Sequence, residues 1–199
     1  DISGYIPTNL ISITDGQLYL SPRLYQKGIL PAIDVGKSVS RVGGKAQLPA
    51  YRAVASDVRI SYSQFEELET FSRFGTRLDE ATRKVLERGW RVREILKQPQ
   101  YKPIPVAEQV AAILGVTSGM FDSVAIGEIR AAEETLRRNV METHGGLCGR
   151  IASGEKLGDT ERELLIHAAG ETARPYVGKE AGEETIGGAF GKGADHADR

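Results

Sequence analysis

The sequence predicts a mainly α protein of the α+β class, with a small β part over residues 1–45 ahead of a helical bundle. Three observations predict it. Period-two alternation of apolar and polar residues occurs near the start, in LISITD (10–15). From residue 46 to 175 the apolar residues recur at spacings of three and four. KQPQYKPIP (97–105) then breaks the helical stretch with three prolines in nine residues.

In LISITD, Leu10, Ser12 and Thr14 alternate against Ile11 and Ile13, Asp15-Gly16 is a tight-turn signal, and QLYL (17–20) follows. This predicts a short hairpin. Two strands alone are marginal in water, and Asp1 is followed at once by Ile2, Tyr5, Ile6, Leu10 and Ile11. Asp1 is therefore read as a cut point inside a longer protein.

The helices follow in order. Val54, Val58, Tyr62, Phe65 and Leu68 share one face of a first helix, with Pro49 in its first turn. Gly75 and Thr76 interrupt it. A second helix starts near Asp79, with Leu78, Ala81, Val85 and Leu86 as its stripe and a bend expected at Gly89. Residues 97–105 form an extended loop, and 106–114 a short helix. Ile126, Ile129, Ala132, Leu136 and Val140 mark a longer one. Thr160 and Glu163 have capping-box spacing for a last helix that stops before Pro175. About six helices result. From Gly178 on, glycines dominate, which predicts a flexible tail. The expected units are 1–45, 46–177 and 178–199.

Composition excludes some functions. With 26 basic and 27 acidic side chains the net charge is −1, so there is no electrostatic footprint for nucleic acid. No apolar run approaches the ~18 residues of a spanning helix, so membrane association would run through partners. The single Cys148 forms no internal disulfide, which fits a reducing compartment.

Several motifs imitate chemistry. VGKS (35–38) ends like a phosphate-binding loop, but Pro31 stands where the first Gly is required and has no N–H to offer phosphate. GGAFGKG (187–193) has the wrong spacing and ends in Gly193. His144 and Cys148 are four apart, yet a metal site needs three or four ligands, and Gly145-Gly146 weakens a helix there. They read as a helix end, with no metal ligand set. The many Glu residues read as solvated helix faces.

The phrases YIPTN, ISITDGQ, PAI-x-VG-x-SVSRVGG and LKQPQY, with QFEELETFSRFGTRLDEAT (64–82), closely resemble F-type ATP synthase alpha subunits through about residue 140. The resemblance implies that 1–45 is the C-terminal part of a RecA-like nucleotide-binding domain and 46–177 the helical C-terminal domain. It also implies an alternating hexamer with catalytic beta subunits around a rotating gamma shaft, with a peripheral stalk. ATP synthesis would be coupled to proton or sodium transport. The complex would be peripheral to a membrane on its cytoplasmic side, or the matrix or stroma side in an organelle. The cofactors implied are ATP or ADP with Mg, the Mg ligands lying outside this chain.

Residue by residue, Arg41 in SVSRVGG matches the family's arginine finger, reaching in trans to ATP in the neighbouring beta subunit. A guanidinium suits that task, because phosphoryl transfer spreads negative charge over oxygens that its rigid fork of donors can meet. Ser12 matches a serine near the phosphate pocket of the same interface. Gln98 and Gln100 match residues bordering the adenine of alpha's own non-catalytic site, to which Pro31 and Tyr25 belong. The family has a basic residue before Pro31; Leu30 here removes a charge and a stacking partner. Arg77 stands where an acidic residue commonly faces the shaft. Two other readings remain: a B-type subunit of a vacuolar or archaeal rotary ATPase, and a free-standing helical interaction module derived from the alpha subunit.

Overall fold

The computed structural model describes residues 3–72 and 78–178. Arg77, Gly75, Thr76 and the expected tail after Gly178 lie outside the described residues.

Six helices from Pro49 onward carry the core. They are α4 (Pro49–Ser72), α5 (Glu80–Leu96), α6 (Val106–Thr117), α7 (Ile129–Thr143), α8 (Gly145–Ala152) and α9 (Asp159–Ala173). Most of each apolar stripe is what they bury: Val54 and Phe65 from α4, Val92 from α5, and Ile129, Ala132, Leu136 and Val140 from α7 are each fully buried, whereas Leu78 and Ile126, ahead of α5 and α7, and Ala81 in the first turn of α5 are exposed, which corrects their place in the stripes. Helix α6 is apolar nearly all round and sits at the centre, packed on α4, α5, α7, α8 and α9. The Asp79 side chain accepts a hydrogen bond from Thr82 N (2.6 Å) and caps α5; that bond holds its carboxyl below the usual range. No helix among the described residues is long and apolar enough to cross a membrane.

Before the bundle come α1 (Tyr5–Ile13), β1 (Gly16–Gln17), α2 (Pro22–Gln26), β2 (Val39–Ser40) and α3 (Gly43–Ala46). The strands β1 and β2 are antiparallel, with Gly16 opposite Ser40 and Gln17 opposite Val39. A Cβ on Gly16 would lie 2.5 Å from the Val39 carbonyl oxygen, so only glycine allows this approach. Of these first residues only Leu24 and Ala32 join the buried apolar set, while Tyr5 and Ile13 are 83% and 77% exposed.

Four expectations are corrected. LISITD is not a strand: Ile6, Leu10 and Ile13 also have helical spacing, and Thr8, Ser12 and Thr14 bond back to carbonyls three or four residues earlier. The partner of residue 17 is therefore Val39, across a loop, rather than residues 10–15. Helix α5 runs unbroken through Gly89, whose absent Cβ makes room for Phe65; an added one would lie 2.2 Å from that ring. Gly145 and Gly146 open α8 rather than ending the helical region, because Ile151 and Cys148 supply a buried face. The Thr160–Glu163 box does not form: α9 begins at Asp159, so Thr160 is already inside it. The first turn is instead served by Asp159 and Glu161, whose charges suit the helix N-terminus.

Candidate functional site between the ribbon and the helical bundle

The loop after β2 presents Arg41. Its backbone N–H donates to the Asp15 carbonyl (2.8 Å), three residues past Ser12. One residue before it, Ser40 Oγ accepts from Gly43 N (2.8 Å) and turns the chain into α3. The Arg41 side chain is exposed, with no hydrogen bond or ion pair among the described residues. Ser12 is exposed near the end of α1, its hydroxyl donating to the Asn9 carbonyl (2.7 Å). No hydrogen bond joins the two side chains among the described residues.

The segment leading to β2 is fixed by a small polar network. Asp34 N donates to the Tyr19 carbonyl (2.9 Å), Tyr19 N to Ser38 Oγ (3.0 Å), and Ser38 Oγ to the Asp34 carbonyl (2.6 Å). Lys37 N donates to Asp34 Oδ1 (3.0 Å), and Lys37 Nζ lies over the Tyr19 ring and 3.6 Å from Asp34 Oδ2. VGKS is thus an Asx-type turn with its lysine already engaged.

The structure brings Gln98 to Pro31. Gln98 N donates to the Leu30 carbonyl (2.9 Å), beside the cis Leu30–Pro31 bond, and Gln98 Nε2 to the Lys102 carbonyl (2.9 Å). Its Oε1 stays available as an acceptor. Gln100 is exposed in the turn that follows, and Tyr25 is exposed on α2; neither bonds to Gln98 or Pro31 among the described residues. This edge therefore carries a Gln98 amide oxygen without a partner among the described residues and the exposed amide of Gln100. No group of three or more His, Cys, Asp or Glu residues that could hold a metal ion occurs among the described residues.

Sequence reasoning missed the charged residues that tie the first segment to the bundle. Arg93 is 3% exposed and makes a bidentate pair with Glu69 of α4 (2.9 and 3.0 Å), its guanidinium 4.3 Å from the Phe65 ring centre. Lys27, beyond α2, reaches the same carboxylate at 3.6 Å. Glu69 and Glu133 are buried, which corrects the reading of the helix glutamates as solvated. The signal was present: Glu69 lies four residues after Phe65 and Arg93 four after Gly89, so both fall on apolar faces. Cys148 is buried, its thiol directed at the Val140 carbonyl (3.7 Å) and pushed up by burial and then by Glu108.

Glu66 of α4 is half-buried. Burial pushes its carboxyl up first, and the Asp34 carboxylate adds to that, partly offset by Arg93. A raised folded value means the stability it contributes is fully present below its ordinary pKa of about 4.3 and is lost as pH rises through the folded value. Glu66→Gln is expected to flatten that decline and to melt higher than the parent at pH 7, with little difference at pH 4. Parallel melting curves across that window would show that Glu66 is solvated.

Comparison with known proteins completes the picture. The C-terminal domain of the ATP synthase alpha/beta chain matches residues 47–172, and the nucleotide-binding domain of the ATP synthase alpha/beta family matches residues 1–40. The chain is 68% identical over 169 residues to ATP synthase subunit alpha 2 of Syntrophus aciditrophicus, covering 85% of this chain and 33% of that protein. It is 53% identical over 191 residues to ATP synthase subunit alpha 2 of Syntrophotalea carbinolica, covering 96% and 36%. To ATP synthase subunit alpha 1 of Rhodopirellula baltica it is 56% identical over 157 residues, covering 79% and 31%. The chain thus spans about a third of the length of these relatives. Two family domains, the first ending at β2 and the second beginning just before α4, make this chain a member of the ATP synthase alpha/beta family.

Proposed function

We propose that this chain serves as the C-terminal part of an alpha subunit in a rotary F-type ATP synthase, supplying Arg41 in trans to a nucleotide held by a neighbouring beta subunit. The observation that carries the reading is Arg41 itself. Its backbone is pinned at Asp15, while its side chain is exposed and without a partner among the described residues. A guanidinium held by its backbone and open to solvent has its fork of donors available to the phosphate oxygens of a second molecule.

In this reading Arg41 meets the charge that develops on the transferred phosphoryl group. Ser12 lends a hydroxyl whose hydrogen a phosphate oxygen would draw from Asn9. Gln98 and Gln100, with Pro31 and Tyr25, face the purine of a non-catalytic ATP or ADP site. Leu30 gives that site an apolar cover in place of a cation. The exposed apolar residues of α1 and the ribbon are covered by further parts of the nucleotide-binding domain. The partners are beta subunits in an alternating hexamer, the gamma shaft and the peripheral stalk. The assembly lies against the cytoplasmic, matrix or stromal face of a membrane and couples ATP synthesis to proton or sodium transport.

The experiment is reassembly. The chain alone is expected to show no ATP hydrolysis, while full-length protein carrying it should form an active ring with beta subunits. Hydrolysis by the isolated chain, or failure of an alpha–beta ring to form, would overturn the reading.

A further inference from the structure

Helices α7 and α9 leave between them an open groove of about 690 Å³. Thr135, Asn139 and Thr143 line it from α7, one turn apart, and Leu164, Ala168 and Thr172 from α9. The threonines and Asn139 are already engaged. Asn139 Nδ2 donates to Thr172 Oγ1 (3.3 Å), Thr172 Oγ1 to the Ala168 carbonyl (2.8 Å) and Thr143 Oγ1 to the Asn139 carbonyl (2.6 Å). Thr135 Oγ1 lies 2.8 Å from the Tyr176 hydroxyl. What the groove still offers is mainly apolar surface, and a stretch of that kind calls for a cover. From Thr135 to Thr143 it runs ~12 Å, at about 1.5 Å per helical residue.

The chain itself leaves the bundle at one end of this groove. Pro175, in the turn Arg174–Tyr176 after α9, lines the groove too. Val177 then pairs with Val124, ahead of α7. Gly178 follows at once, so the next segment starts within ~10 Å of the groove. In residues 179–199 the two large apolar side chains are Ile186 and Phe190, with Gly187, Gly188 and Ala189 between them. Extended, the two stand ~13 Å apart, which matches the length of the groove. The small residues between them let the backbone come close to the helices. Residues 179–185 can span ~23 Å, enough to return the segment along the groove. A segment tethered this closely meets the groove at an effective concentration of roughly the millimolar range, which favours it over an untethered partner.

We propose that residues 185–190 of this chain dock in the groove between α7 and α9, with Ile186 and Phe190 as the two anchors. GGAFGKG (187–193), wrongly spaced for a phosphate loop, is then the glycine-rich end of a docking segment. The inference is independent of the role of Arg41.

The test is trypsin cleavage after Lys192, two residues beyond Phe190, in full-length protein before and after assembly with beta subunits. Each rate is divided by that of a free peptide with the same sequence over residues 179–199. When docking and release are fast, the ratio reads the undocked fraction. The parent is expected to be cleaved about tenfold more slowly than its peptide, and Phe190→Ser and Ala168→Glu to be cleaved as fast as theirs. A disulfide trap places the contact: in Cys148→Ser protein, Phe190→Cys with Ala168→Cys should close within one chain on mild oxidation. Parent cleavage at the peptide rate would overturn the proposal. So would protection that survives Ala168→Glu, protection seen only after assembly, or a disulfide that joins two copies, because the segment then sits elsewhere, under a partner subunit or on a second copy. Should Ala168→Glu not assemble, Thr143→Glu, at an exposed position of α7, is judged by the same ratio.

Discussion

Arg41→Ala is expected to lower kcat for ATP hydrolysis by about 10³–10⁵ in an alpha–beta ring, the range known for arginines that complete a phosphoryl-transfer site. The size follows from where the residue acts. A donor fork that meets charge only in the transition state lowers kcat and kcat/KM together and leaves ground-state binding nearly unchanged. ATP should therefore still bind. Because the side chain has no partner among the described residues, its removal should also leave the melting temperature alone. That combination separates a finger from a structural arginine, whose loss moves stability first. Arg41→Lys is expected to recover only a fraction of the rate, since an ammonium is a point charge and cannot match a planar pair of oxygens. Unchanged turnover would place Arg41 outside the chemistry and leave the chain as an interaction module with an inherited sequence.

The positions of these groups were unequally legible in the sequence. The helical part was readable because its stripes are long, and a face repeated over four turns leaves little ambiguity: Val54, Tyr62 and Phe65 and Ile129 to Val140 are buried as the spacing requires, with Val58 half-buried. The start was not. In a stretch as short as Tyr5–Ile13 the periods of two and 3.6 are both present, and local hydroxyl bonds decide between them. The pairing of Gly16 with Ser40 depends on a loop of more than twenty residues closing by the Asp34, Ser38 and Tyr19 bonds, which no local pattern announces. Gln98 and Pro31 entered as one site through a resemblance, and their joining through the Leu30 carbonyl is a tertiary fact. Glu69 and Arg93 were hidden for another reason. A charge on an apolar face looks like noise until its partner on a different helix is known.

The Arg93–Glu69 pair is where a stability change should be largest. Both side chains are nearly excluded from water, at 3% and 10% exposure, and they meet through two parallel hydrogen bonds. Removing either partner leaves an uncompensated buried charge, so Glu69→Ala or Arg93→Ala is expected to cost about 3–5 kcal/mol. The guanidinium also lies near the faces of Phe65 and Trp90, 4.3 and 5.0 Å from their ring centres, so Arg93→Ala loses packing as well as charge. Glu69 carries a second burden, since Lys27 approaches it at 3.6 Å and this contact joins the first segment to α4. Glu69→Ala should therefore loosen that junction, and Lys27→Ala, a more exposed contact, should cost much less. Urea unfolding followed through Trp90, the sole tryptophan and a neighbour of Arg93, reads all three variants. A joint replacement, Glu69→Leu with Arg93→Met, should recover much of the loss because no buried charge is then left alone. If the single variants melt like the parent, the pair is hydrated in solution and the two parts of the chain are held by the Leu30–Gln98 bond and packing instead.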